Sequence, residues 1–139
     1  MSFLLDTCAV SELVRPKPNG GFMDWIAAQA ERSLYISVIT LGELRKGVAR
    51  LAAGRRKSAL DVWLRNEVPR RFGSRMLDVD AVTMLKWGEV VAQCERGGKS
   101  LAVQDSLIAA TALRHGLDVV TRDDHNFLPA GTTVVNPWS

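Results

Sequence analysis

Phe3-Leu4-Leu5-Asp6 sets three apolar residues against one acid, the pattern of a short buried strand that feeds a turn. Working outward, the same kind of unit recurs. Leu34-Tyr35-Ile36-Ser37-Val38 is rich in strand formers and runs into Thr40 to Leu51, where Leu41, Leu44, Val48 and Leu51 repeat at helical steps. Further strands are predicted at Met76 to Val79, Asp118 to Thr121 and Thr132 to Val135. Helices are predicted from about Ala9 to Val14, Phe22 to Glu31, Ser58 to Val68, Ala81 to Arg96 and Val103 to His115, the last two stopped by Gly97-Gly98 and Gly116. Arg15 to Gly21, with Pro16 and Pro18, reads as a loop. Strands that alternate with helices predict an α/β fold whose parallel sheet is covered on both faces.

With 139 residues, 47% of them apolar, the chain predicts one domain, residues 1–139, with a core that needs no disulfide or structural metal. Cys8 and Cys94 form neither a disulfide framework nor a zinc motif, and His115 and His125 stand apart. Met1 to Asp6 has no basic flank and meets an acid after three apolar residues, so no signal peptide or membrane span is predicted and the expected location is cytoplasmic.

The formal net charge of +3 is unevenly spread. Between Arg45 and Arg75 there are ten basic residues and only Asp61 and Glu67 as acids, so the remaining chain is net acidic. A basic segment suits a polyanionic partner, or else a solvated helical face. Arg45, Arg55, Arg56 and Lys57 are its candidate contacts to such a partner.

Sites in parallel sheets form beyond the carboxyl ends of the strands. Asp6 follows the first strand, Glu43 lies a helical turn past the second, Asp105 opens the helix before the fourth, and Asp123 follows that strand. Four acids at one edge repel each other, and a hard divalent cation with oxygen ligands removes the penalty. Such an ion suits phosphodiester hydrolysis. Each acid also has a local explanation. Asp6 could cap a helix, Thr40 and Glu43 could form a capping box, Asp105 could answer a helix dipole, and Asp123 could be a turn residue with Asp124 its equal. The constellation carries the inference. Thr7 and Thr121 flank these acids and could orient them. Ser37 reads better as a cap, and Trp25, Trp63 and Trp87 as core or interface.

Leu4-Leu5-Asp6-Thr7, Ser37-Val38-Ile39-Thr40-Leu41-Gly42-Glu43-Leu44 and Asp105-Ser106-Leu107-Ile108-Ala109-Ala110-Thr111-Ala112 together resemble the PIN-domain toxins. Thr121-Arg122-Asp123 and Val135-Asn136-Pro137-Trp138 resemble the FitB-like branch of the VapC group. The resemblance implies a three-layer α/β/α sandwich with a mainly parallel sheet, and Mg²⁺-dependent RNA cleavage in which Mn²⁺ could substitute. It places the catalytic and metal-binding acids on Asp6, Glu43, Asp105 and Asp123. It also implies a homodimer and a small DNA-binding antitoxin, with a larger assembly on operator DNA. Two departures stand out. Cys8 occupies a position where relatives commonly carry Asn or Ser. Thr121-Arg122-Asp123-Asp124-His125-Asn126-Phe127 replaces the usual Thr-Arg-Asn-x-x-Asp-Phe, which leaves Asp124 as competitor for the fourth acid. A receiver domain or a phosphatase with paired acids after the first strand is excluded by Asp6-Thr7-Cys8. The remaining alternative is a non-catalytic RNA- or protein-binding module.

Overall fold

The computed structural model describes residues 1–139. Along the chain run β1 (Phe3–Leu5), α1 (Thr7–Glu12), α2 (Gly20–Ala28), β2 (Leu34–Ser37), α3 (Val38–Ala49), α4 (Arg55–Val62), α5 (Val68–Phe72), β3 (Met76–Leu77), α6 (Ala81–Arg96), α7 (Val103–His115), β4 (Asp118–Val120) and β5 (Val134–Val135). The strands form one sheet in the order β3-β2-β1-β4-β5, and every pairing is parallel. The chain moves outward from β1 through β2 to β3, then returns to the other side of β1 with β4. That reversal opens a crevice at the carboxyl ends of β1 and β4.

Alternation along the strands builds the layers. Phe3 and Leu5 of β1, Leu34 and Ile36 of β2, and Val120 of β4 face one apolar cluster with Phe22, Val68 and Phe72. Leu4 and Val119 face the opposite cluster, with Val90 of α6 and Ile108 of α7. The expected three-layer α/β/α sandwich is thus observed. No helix is long and apolar enough to cross a membrane.

Both α6 and α7 match their expected limits. Elsewhere the ends move, for local reasons. The Asp6 carboxylate accepts from the Ala9 amide, so α1 starts at Thr7. Gly20 and Gly21, expected in the loop, open α2 because Asn19 caps it through the Phe22 amide. A Cβ on Gly21 would sit 2.8 Å from the Pro137 carbonyl oxygen, so glycine permits the C-terminal segment to lie across this helix. Ser37 caps α3 through the Ile39 amide, which starts the helix earlier than Thr40 and leaves Glu43 outside any capping box. The basic helix starts at Arg55 and continues through a π-helical turn (Trp63–Glu67) into α5. Pro69 lacks the N–H that an uninterrupted α-helix would use, and the wider turn absorbs that loss. Both β3 and β5 are two-residue strands, shorter than expected.

Glu12, only 3% exposed, ties α1 to the C-terminus. It accepts from the Asn19 amide (2.9 Å) and the Trp138 indole (3.2 Å), with Arg15 at 3.5 Å. Burial works to raise its pKa, but these donors outweigh burial and hold the carboxyl below the usual range. A lowered folded pKa gives stability that is present above the unfolded pKa and lost as pH falls through the folded one. Glu12→Gln should therefore cost about 1–3 kcal/mol at neutral pH. Thermal melts at neutral pH and below about pH 4 should show the gap to wild type closing on acidification; a gap that persists in acid would exclude the linkage.

Candidate active site

A cavity of about 560 Å³ opens at the crevice between β1 and β4. Asp6, Glu43, Asp105 and Asp123 all line it. Each comes from a different place. Asp6 ends β1, Glu43 lies in the second turn of α3, Asp105 in the first turn of α7, and Asp123 follows β4. Asp124 instead accepts from the Asn136 amide (2.8 Å) and tethers the C-terminal segment, so of the two competitors Asp123 is the one at the cavity.

The flanking hydroxyls reach these acids. Thr7 Oγ1 donates to Glu43 Oε1 at 2.6 Å and lies 3.2 Å from Thr40 Oγ1. Thr121 Oγ1 accepts from the Asp123 amide at 2.9 Å and lies 3.9 Å from the Cys8 thiol. The Cys8 thiol donates to Asp6 at 3.0 Å, occupying the role that an amide or hydroxyl would fill at this position. Burial and the Asp6 carboxylate push that thiol up to about 12, so it is a hydrogen-bond donor rather than a nucleophile.

None of the four acids makes an ion pair; the acids that do are Glu12, Glu31, Asp61, Glu67, Asp80 and Glu89. Burial raises Asp6 above the ordinary carboxylate range, partly opposed by its hydrogen bonds. Asp105 is pushed up to about 6 by burial and by Glu43, Asp6 and Asp123. The arrangement is a concentration of negative charge on oxygen donors alone, which fits a hard divalent cation. No three His, Cys, Asp or Glu side chains are drawn together into a preformed cage.

The basic candidates divide. Arg56 lines the cavity, whereas Arg55 does not. Lys57 donates to the Ala49 carbonyl at 3.4 Å, and Arg45 pairs with Asp61 at 3.2 Å. Consecutive helical residues point about 100° apart, so the run could not line one groove. Arg15 and Asn126 also line the cavity and were not singled out from the sequence. Arg15 lies on the face of Thr7 and Ser11 by helical spacing, a signal obscured by the Pro-rich loop that it opens. Leu44, Val48, Leu60 and Trp63 form an apolar wall, so Trp63 serves the site as well as the core.

Asp105, whose folded pKa is raised, should destabilise the fold as pH rises from about 4 through about 6. Being partly exposed, it is screened by solvent. Asp105→Asn should therefore melt about 2–4 °C above wild type at neutral pH, where one repelling charge is gone. Below about pH 4 the two should coincide, because both side chains are then neutral. Scanning calorimetry at the two pH values checks this; equal melting at both would mean that the acids do not repel across the cavity.

Residues 3–129 match the PIN domain model. A VapC ribonuclease, Y4jK, of Sinorhizobium fredii is 38% identical over 97% of this chain and 96% of its own. Toxin FitB of Neisseria gonorrhoeae is 38% identical over 97% of both chains. A solved structure of FitAB bound to an IR36 DNA fragment superimposes with a TM-score of 0.92, at 35% identity, over 99% of this chain and 96% of that one. The chain belongs to the PIN-domain family, among the VapC and FitB proteins.

Proposed function

We propose that the protein is a Mg²⁺-dependent endoribonuclease, with Mn²⁺ as possible substitute, and the toxin of a toxin–antitoxin pair. One observation carries this reading: four carboxylates without a cationic partner share one cavity with two arginines. Charges arranged in this way suit an ion and a phosphate together. The ribonuclease and toxin named among the relatives support the same chemistry. FitAB bound to DNA supports a small DNA-binding antitoxin as partner and an assembly on operator DNA. Val82 and Leu85, exposed on α6, offer apolar surface for a homodimer.

Asp6 and Asp105 would hold the ion, with Glu43 and Asp123 completing its shell or orienting water. The chemistry such an ion supplies when bound is a lowered pKa for water and neutralisation of phosphate charge. Thr7 holds Glu43, and Cys8 with the Ala9 amide holds Asp6, so both carboxylates are oriented before substrate arrives. Arg15 and Arg56 line the same cavity and would serve as phosphate-binding groups.

Asp6→Asn or Asp105→Asn should cut RNA hydrolysis by about a hundredfold or more with the fold intact. Mg²⁺ should raise the melting temperature of wild type and leave that of Asp105→Asn nearly unchanged. Full cleavage in excess chelator, or by Asp105→Asn, would overturn the metal-dependent carboxylate site, whereas RNA bound but left uncut in the presence of Mg²⁺ would favour a non-catalytic RNA- or protein-binding module.

A further inference from the structure

A second cleft, about 380 Å³, lies directly beyond the carboxylates. Its walls are the turn between α6 and α7, with Lys99 and Ser100, and the segment after β4, with His125 and Asn126. Asp105 and Asn126 line both this cleft and the main cavity, so the two form one continuous groove. The chemistry at the carboxylates uses none of Lys99, Ser100 and His125.

Three features mark the cleft as built for a ligand. Lys99, Ser100 and His125 are exposed, and neither an ion pair nor a side-chain hydrogen bond engages any of them, or Asn126. Four polar side chains with unused donors therefore face one concavity. The turn that carries Lys99 is held by its backbone, since the Lys99 amide donates to the Cys94 carbonyl at 2.8 Å. Gly98 turns the chain with φ +71°, which a residue with a side chain adopts poorly. Finally, Arg15 and Arg56 are confined to the main cavity, and the second cleft has its own cation.

A phosphodiester bond placed at the carboxylates has neighbouring phosphates on both sides. Arg15 and Arg56 serve one of these sides. We propose that the second cleft holds the RNA strand on the other side of the cut, with Lys99 and the His125 N–H on a phosphate and Ser100 and Asn126 as further polar contacts. The inference rests on the ribonuclease reading above. Phosphate is favoured over a protein partner because the unused groups are polar and one carries positive charge, whereas apolar anchors dominate protein recognition.

The test uses Asp6→Asn protein, so that binding is measured without cleavage. The probes are a single-stranded RNA with one mapped cut site and two shortened forms, each ending close to that site on one side. Fluorescence anisotropy is read over a range of salt. The full-length RNA should bind with a salt slope that Lys99→Ser with His125→Ser flattens by about 0.7 for each phosphate no longer neutralised. The affinity of Asp6→Asn without further change should also fall when one particular side is shortened, and the protein carrying Lys99→Ser and His125→Ser as well should be indifferent to that truncation alone. Arg56→Ser should instead respond to truncation of the opposite side. If Arg56→Ser weakens binding and the Lys99 and His125 substitutions change neither slope nor truncation response, the second cleft is overturned, whatever those substitutions do to a protein partner. If the unsubstituted groove binds no RNA at all, the ribonuclease reading itself fails, and this inference with it.

Discussion

Placing Asp6 at the carboxyl end of the central strand is the constraint on which the rest of the site depends. Its side chain is 5% exposed, a costly position for a carboxylate. The cost is offset locally. The Ala9 amide and the Cys8 thiol donate to it, and its own amide donates to the Val120 carbonyl at 3.1 Å. Asp6 thus starts α1, fixes β1 against β4 and presents a charged oxygen to the cavity. Capping and catalysis are often treated as competing explanations for such a residue. Here one geometry permits both, because the Ala9 amide caps through one carboxylate oxygen and the other keeps unused acceptor capacity.

From that point the electrostatics follow. β1 and β4 are neighbours, so Asp6 and Asp123 must approach each other; α7 leads into β4 and brings Asp105. Glu43 arrives from α3 and is steadied by Thr7. The assembled negative charge is paired with no cation of the chain, and repulsion remains stored in the raised pKa of Asp105. Several acids elsewhere pair with arginines: Glu31 with Arg71 and Arg75, Asp61 with Arg45 and Arg65. Asp24, Asp78, Glu95, Asp118 and Asp124 also lack an ion pair, so what sets the four acids apart is that they share one cavity.

Much of this was legible in the residues. The apolar run Phe3-Leu4-Leu5 and the helical patterns in Ala81 to Arg96 and Val103 to His115 identify their elements, because a strand buried on both faces is apolar throughout and a helix buried on one face repeats every three to four residues. Four acids each following a strand or opening a helix announce a common edge, since parallel strands bring their carboxyl ends together. The family resemblance rests on short motifs spread over the whole chain, and their order survives in the structure. Helix starts were less legible. Ser37, rather than Thr40, caps α3, a choice between two hydroxyl residues that strand length decides.

Side-chain direction and competition for partners were decided only by the tertiary structure. Asp123 and Asp124 are adjacent and chemically alike, yet Asn136, twelve residues away, claims Asp124 and leaves Asp123 to the cavity. The basic run reads as a uniform RNA surface. In three dimensions Asp61 takes Arg45, the Ala49 carbonyl takes Lys57, and of the cluster Arg55 to Lys57 only Arg56 reaches the cavity. Arg15, Asn126 and Lys99 gain their positions from loops whose paths no local repeat encodes. The sequence by itself determined the α/β order and the edge where the acids gather, because both follow from local periodicity. Which acids, cations and hydroxyls face one another depends on contacts between residues far apart in the chain, and those contacts exist only once the sheet has assembled.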